Sequence, residues 1–253
     1  MNHSASANFR RLPLNLAIGL ALAACAVGSA QAAFLDFSSG VVGALWSASS
    51  SWKTGVVPVN GDWAWVGSAG KVRKATFDAV MTGTGLTSLD LGYSGMINQS
   101  LASSAMIADF ESVGTGGGAI YNQSAGSNSA GTLNVSGDQV TPGVYNLSGG
   151  VLKVGEEARL GFGGIGAFNQ SAGEMTVQGV LRAGRSAGST GIVTLKGGSF
   201  TVNGVTTIGY SGNGSFTQSG GTAKLSGLVL GYQSDHAGMG TYILNSADGV
   251  DSL

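Results

Sequence analysis

Charged side chains that could do chemistry are concentrated at one place in a chain whose residues are only 10% charged. Arg159 and Arg182 follow a recurring aromatic position at the same interval, which predicts that they stack on neighbouring repeats, with Arg185, Glu156 and Glu157 close by. Such a row could serve a polysaccharide-cleaving site, or it could be a surface ion-pair cluster that relieves the repulsion between two adjacent arginines. A glycosidase requires two carboxylates that face each other across a cleft. We therefore favour the ion-pair cluster.

The remaining polar residues give no catalytic constellation. His236 follows Asp235 in a turn-like segment, and no second histidine beyond residue 32 could complete a metal site or a catalytic pair with it. No serine lies in a G-x-S-x-G elbow at a strand-to-helix turn, and the glycine-rich stretch 114–119 lacks the lysine of a phosphate-binding loop. The sequence thus predicts a non-enzyme without catalytic, cofactor-binding or metal-binding residues, and without a cofactor.

Composition and charge set the class of the chain. Its 253 residues include 45 glycines, and 43% are hydrophobic, which favours glycine-punctuated repeats over disorder. The formal net charge of -1 supplies no basic field, which argues against nucleic acid and anionic lipid as partners. After residue 32, no apolar run approaches the ~20 residues that span a bilayer, so we expect no membrane span.

Residues 1–32 have the pattern of a signal peptide. Two arginines give a positive start, an apolar run follows, and an A-x-A cleavage signal ends at residue 32. The mature chain would then begin at Ala33. Alternatively, residues 22–25 resemble a bacterial lipobox, in which Cys25 would become a lipidated first residue. Because Cys25 is the only cysteine, cleavage after residue 32 leaves a mature chain without disulfides.

From about residue 95 the chain repeats a unit of about 24 residues. Each copy has one recurring apolar position, here called the anchor, and six of the seven copies have a glycine two positions before it. The anchors follow one another at nearly constant intervals: Ile97, Tyr121, Tyr145, Phe168, Val193, Phe216 and Tyr242. Each unit contains three short alternating runs closed by glycine, which predicts three strands joined by tight turns.

One such unit cannot bury its own apolar face, but stacked units can. The sequence therefore predicts an all-β fold, a parallel β-helix or solenoid that we expect to be right-handed, with the anchors in one interior row. Two positions after each anchor, on the same face, glutamine and leucine largely alternate in a second row. The N-x-S sequences beside this row could be glycosylation sites, but we interpret them as a consequence of repeating turn and ladder residues.

The segment 33–94 differs from the repeats in its aromatic residues. All four tryptophans of the chain lie within it: Trp46, Trp52, Trp63 and Trp65. We expect an aromatic N-terminal cap with the first irregular coils here, because a solenoid has to cover the apolar end of its first coil. The tryptophans would form the core of this cap or, alternatively, a carbohydrate-binding platform. Residues 95–253 would form the solenoid repeats.

Two features resemble a known class of protein. Trp52, Gly55, Pro58 and Asp62 form a W..G..P...D pattern, and the repeats follow the form G.Y..SGG.L.VG. With these features the chain resembles the glycine-rich β-helical surface proteins of bacteria, of the autotransporter-passenger and PEP-CTERM types. Because it lacks the sorting tail of the latter, we expect either a fragment of a longer product, truncated at its C-terminus, or a short exported solenoid.

The resemblance implies a non-catalytic, exported structural or adhesive protein, extracellular or on the surface of a Gram-negative-type bacterium. Its partner would be an unknown surface, either a polysaccharide or other cell-surface proteins. The alternative function is a carbohydrate-binding or carbohydrate-active β-helix, similar to polysaccharide lyases and hydrolases. Because the repeat spacing varies so little, there are no long inserted loops to build a groove, which favours the structural role.

Overall fold

The computed structural model describes residues 32–232 and 238–245, and this part of the chain is almost entirely β-structure. Its single helical element is one 3-10 turn at Ser49–Ser51. The all-β prediction is therefore confirmed. The leader up to Gln31, which includes Cys25, and the segment that contains His236 lie outside the described residues.

Nineteen strands are described, most of them separated by short turns. The first ten are β1 (Phe34–Asp36), β2 (Ala44–Leu45), β3 (Trp63–Val66), β4 (Arg73–Thr76), β5 (Leu86–Gly92), β6 (Gly95–Gln99), β7 (Ala105–Thr115), β8 (Ala119–Gln123), β9 (Ser127–Val135) and β10 (Gly143–Leu147). The other nine are β11 (Val151–Leu160), β12 (Ile165–Gln170), β13 (Glu174–Val177), β14 (Val180–Ala183), β15 (Thr190–Leu195), β16 (Ser199–Ile208), β17 (Asn213–Gln218), β18 (Thr222–Leu230) and β19 (Met239–Leu244).

These strands form successive coils of a parallel β-solenoid, where one coil is one turn of the chain around the axis. A nine-stranded sheet has the order β2-β4-β6-β8-β10-β12-β15-β17-β19, and a ten-stranded sheet takes the remaining strands. Long strands of the second sheet change register half-way: the pairing of β11 with β9 shifts between Val154 and Glu157, and that of β16 with β18 between Val202 and Val205. In the coil after β11 the two halves are separate strands, β13 and β14. Each full coil therefore has three strand runs, as the sequence predicts.

The predicted anchor row is confirmed by the register of the nine-stranded sheet. From Ile97 to Tyr242, every anchor is paired with the next one along the axis. The rings of Tyr121 and Tyr145 stack with centroids 4.8 Å apart, and those of Phe216 and Tyr242 stack at the same distance. All anchors except Tyr242 are fully buried. Each repeat of the sequence is therefore one coil of the solenoid.

The glycine two positions before an anchor lies where the backbones of two coils meet. A Cβ atom on Gly143 would overlap the carbonyl oxygen of Val113, and one on Gly166 would overlap that of Val135. Only a residue without a side chain allows this approach. The recurring glycine is therefore required by backbone packing between coils.

The row of glutamine and leucine after the anchors is also interior from Gln99 to Leu195, as predicted, whereas Gln218 is half-buried and Leu244 is exposed. Gln99, Gln123 and Gln170 are buried, and each donates its amide N–H to a backbone carbonyl oxygen of the following coil at 2.8 to 2.9 Å. A buried amide is tolerated when its hydrogen bonds are made inside the protein. These glutamines therefore connect neighbouring coils.

Four of the asparagines that begin N-x-S sequences form a ladder on the outer face of the same sheet. Asn122 donates to Asn98, Asn146 to Asn122 and Asn169 to Asn146, at 2.9, 2.9 and 3.0 Å between nitrogen and oxygen. Stacked equivalent amides stabilise parallel, in-register strands. For these four residues, the contacts are those that the stacking of coils predicts.

Paired coils begin well before residue 95. Ala44 and Ala75 continue the anchor row on the other side of Ile97, while β1, β3 and β5 pair in the other sheet. Trp46 and Trp52 are buried edge-to-face with centroids 4.6 Å apart, and they form an aromatic core with Phe37 and Phe77.

The expectation that all four tryptophans fill this core is wrong for the two on β3. Trp63 is 46% exposed, and Trp65 is half-buried on the same outer face of the sheet. Alternation along β3 turns Ala64 and Val66 inward instead. The N-terminal aromatic residues therefore divide between a core and a surface.

Candidate functional site

The predicted stack of arginines is present on the ten-stranded sheet, after the register shift of β11. Arg159 of β11 is the register partner of Arg182 of β14. Between them and Arg185 lies Glu157, whose carboxylate accepts from Arg159 Nε at 2.8 Å, from Arg185 Nε at 3.4 Å and from Arg182 Nη1. Among the described residues these are the only ion pairs. The ion pairs expected in this cluster are therefore present.

A column of turn residues runs beside the arginines because the turn repeats in four successive coils. Each turn opens with a glycine at positive φ: Gly161, Gly184, Gly209 and Gly231. The residues that follow them are Phe162, Arg185, Tyr210 and Tyr232. The backbone N–H of Arg185, Tyr210 and Tyr232 each donates to the turn glycine of the preceding coil, at 3.0, 3.1 and 2.9 Å. Backbone hydrogen bonds therefore place this column.

We call Glu157, Arg159, Phe162, Arg182, Arg185, Tyr210 and Tyr232 the arginine–aromatic surface. Within it, Arg159 and Arg185 lie 5.7 and 5.0 Å from the ring centre of Phe162. Arg182 lies 5.0 Å from that of Tyr210, whose ring stacks on Tyr232 at 4.9 Å. Each guanidinium is thus held by a carboxylate and an aromatic ring together.

The charge of this surface is unbalanced in favour of the arginines. Burial raises the pKa of Glu157, but hydrogen bonds from Arg159 and Arg182 and the charges of these two groups outweigh it and hold the pKa below its ordinary value. Glu157 is therefore ionised at neutral pH. Three guanidiniums around one carboxylate leave a local charge of about two positive units.

The other predicted member of the cluster, Glu156, is not in the ion-pair network. It is exposed, and its carboxylate accepts only a long hydrogen bond, 3.5 Å, from Thr132 Oγ1. Because Glu156 and Glu157 are adjacent, they cannot face one another across a cleft, as a pair of glycosidase carboxylates does.

Sequence reasoning missed the aromatic members of the site. Phe162, Tyr210 and Tyr232 each come directly after a turn glycine. Together with Arg185, these positions recur at a spacing close to that of the anchors, and this periodicity is the signal that could have found them.

The turn that opens with Gly184 also contains the letters G-x-S-x-G, from Gly184 to Gly188. It joins β14 to β15, and Ser189 Oγ accepts from the backbone N–H of Ser186, so it is a strand-to-strand turn.

A second group of outward aromatic side chains lies nearer the N-terminus, on the same sheet. Trp65 meets the ring of Tyr93 edge-on at 6.1 Å, and Trp63 lies two positions before Trp65 on the same outer face. Tyr93 and Ser94 are the two described non-glycine residues with positive φ, 47° and 66°. Such conformations are strained in residues with a side chain.

A buried carboxylate that the sequence did not point to lies inside the solenoid. Glu111 of β7 is fully buried, and its register partners Leu89 and Leu133 are buried leucines. Asn128 Nδ2 donates to Glu111 Oε2 at 2.9 Å and to the hydroxyl oxygen of Tyr145 at 3.0 Å. Burial raises the pKa of Glu111 from 4.5 to about 7, and the hydrogen bond from Asn128 lowers it only in part.

Within residues 32–232 and 238–245, no three histidine, cysteine, aspartate or glutamate side chains come together as a metal site would require. No helix in these ranges combines the length and apolar character needed to cross a membrane. No protein family, curated protein or solved structure with which the chain was compared matches it. These comparisons therefore add no support for the resemblance to bacterial surface proteins, and what the structure shows is a β-solenoid of stacked parallel coils.

Proposed function

We propose that the chain is a non-catalytic structural or adhesive protein whose β-solenoid serves as a rigid support for side chains that bind another surface. The observation that carries this proposal is the in-register anchor row from Ile97 to Tyr242, whose members follow one another at nearly constant intervals. Because each coil is fixed by its two neighbours, side chains on the outer faces keep regular spacings along the axis.

The proposed location is outside the cytoplasm, on the cell surface or in the extracellular matrix of a Gram-negative-type bacterium. The leader pattern of residues 1–32 supports export, and the absence of any cysteine after residue 32 is compatible with an oxidising compartment. Attachment of a lipid at Cys25 is the alternative mode of surface anchoring.

Carbohydrate binding without catalysis is the second candidate function. It is favoured by the outward Trp63 and by the arginine–aromatic surface, because aromatic rings and planar guanidiniums are common contacts for sugar rings and their acidic substituents. Glycoside hydrolysis is disfavoured, since Glu157 is occupied by three arginines and Glu156 is adjacent to it.

The test is production of the full chain, with its own leader, in a Gram-negative bacterium. We expect intact cells to be labelled by an antibody against the solenoid, and added protease to remove that label. The purified protein should release no sugar from polysaccharides. A chain confined to the cytoplasm would contradict the proposed location, and a chain that depolymerises a polysaccharide would contradict the non-catalytic role.

A further inference from the structure

We infer that the arginine–aromatic surface binds the carboxylate groups of an acidic polysaccharide. The inference rests on the proposed function, because an adhesive solenoid must contact its partner through outward side chains. In a chain with a net charge of -1, this surface gathers three of the 12 basic residues around one carboxylate. An excess of fixed positive charge at one place favours an anionic ligand there.

The arginines keep most of their hydrogen-bond donors for such a ligand. Arg159 and Arg185 use Nε to reach Glu157, and Arg182 uses Nη1. A guanidinium has five N–H donors, so the paired Nη groups of Arg159 and Arg185 stay available as forks. A fork of this kind fits the two oxygens of a carboxylate. Glu157 therefore positions the arginines without consuming their capacity to bind.

The side chains are also held in place before any ligand arrives. Arg185 is fixed at its backbone by the hydrogen bond to Gly161, and at its guanidinium by Glu157 and the ring of Phe162. A free arginine loses rotamer freedom when it binds, which weakens the complex. Side chains that are already ordered avoid most of that loss. The surface is therefore preorganised for an anion.

A polymer fits this surface better than a single anion because its cations lie on two adjacent coils. Arg159 and Arg182 are register partners on adjacent coils, and the turn column adds Arg185 one coil after Phe162. Phe162 and Tyr232 are 44% and 42% exposed, so apolar ring surface borders the cations. An acidic polysaccharide carries both carboxylates and apolar C–H faces at regular intervals. Its carboxylates can therefore pair with the cations while its C–H faces pack on the rings.

Single-stranded nucleic acid also combines stacking with negative charge, but it is the weaker fit. Proteins that bind it use a basic groove that follows many phosphates. They also use uncovered aromatic rings on which the bases stack. Here the ring of Tyr210 is covered by Arg182 and Tyr232. The arginines of this surface lie only in the coils of β11 and β14. Carboxylates on a sugar polymer match this short row.

The test measures binding of the purified full chain to polygalacturonate, with neutral dextran as the uncharged comparison, by affinity electrophoresis and calorimetry at two salt concentrations. We expect binding to polygalacturonate alone, weakened by salt because the contacts are ionic. The variant Arg159→Ala/Arg185→Ala should weaken binding by at least about tenfold, the effect of losing charge-assisted hydrogen bonds. Arg185→Lys keeps the charge but loses the fork, and should give an intermediate loss.

The matched control is Lys224→Ala, which removes one exposed cation outside the cluster. It should change the affinity by less than about twofold. Circular dichroism of every variant establishes that the solenoid is intact. If the double variant does not fold, the loss of affinity is measured with Arg185→Lys instead.

Three results would overturn the inference. They are no binding of the wild type to polygalacturonate at low salt, an equal loss of affinity in Lys224→Ala, and preferential binding to single-stranded DNA. Surface labelling on intact cells is a separate readout. A chain that reaches the surface without binding the polyuronate refutes this inference alone, whereas one that binds it but stays in the cytoplasm refutes the proposed location alone.

Discussion

The buried carboxylate of Glu111 should make the stability of the solenoid depend on pH. Its pKa is about 7 in the folded chain and about 4.5 when unfolded. Below pH 4.5 the group is protonated in both states and has no effect. Between pH 4.5 and 7 it ionises only in the unfolded chain, so stability falls as the pH rises. Above pH 7 the full loss is present.

The magnitude follows from the difference between the two pKa values. A shift of about 2.5 units corresponds to about 3 kcal/mol. For a chain of this size, about 3 kcal/mol moves the melting temperature by roughly 6 to 12 °C. The variant Glu111→Gln keeps an amide oxygen toward Asn128 without a charge. It should therefore melt higher than the wild type by about this amount at pH 8, and by almost nothing at pH 4.

The assay is thermal unfolding followed by circular dichroism at pH 4 and pH 8. Glu174→Gln is the matched control, because it removes the same charge from an exposed position on β13. For Glu174→Gln, the difference between the melting temperatures at pH 4 and pH 8 should be the same as for the wild type. Equal melting temperatures of Glu111→Gln and wild type at pH 8 would mean that Glu111 is not held in an apolar interior, and would refute the reasoning.

Three other perturbations test the fold and the leader. Phe168→Ala removes a fully buried anchor and should cost about 3 to 5 kcal/mol, with new protease cleavage near residues 160–190, whereas exposed Lys224→Ala should be cleaved no faster than wild type. Gly184→Ala and Gly188→Ala both place a side chain at positive φ, but only at Gly184 would the Cβ overlap backbone, so Gly184→Ala should lower the melting temperature further. Mass spectrometry of the exported chain should find Ala33 at its N-terminus, and a diacylglyceryl group on Cys25 would contradict this.

The repeat region could be predicted from sequence because its signals are local and recur. The anchors, the glycine before them and the second interior row all keep the same nearly constant spacing, so equivalent positions had to coincide in a stacked fold. The first coils lack this regularity. Ala44 and Ala75 occupy the anchor row there without an aromatic side chain, and the chain between these two alanines is longer than one repeat.

The side chains that give the site its character were harder to foresee. The stacking of Arg159 on Arg182 follows from counting residues after the anchors, but the turn column depends on which side chain each turn glycine directs outward. Glu111 was missed because a carboxylate is not expected among leucines. Its one hydrogen bond comes from Asn128, which belongs to another coil and could not be identified as a partner from the sequence.

The in-register pairing of coils also decides how the protein responds to force. Its hydrogen bonds between coils run along the axis, so tension applied through the two chain ends loads the bonds of the outermost coil first. That coil detaches while those behind it stay paired, so the solenoid opens one coil at a time from its end. Each detached coil of about 24 residues frees about 80 Å of chain. A tether made of such coils would lengthen in steps of this size and absorb work at each one, so that a pulled attachment yields gradually before it fails.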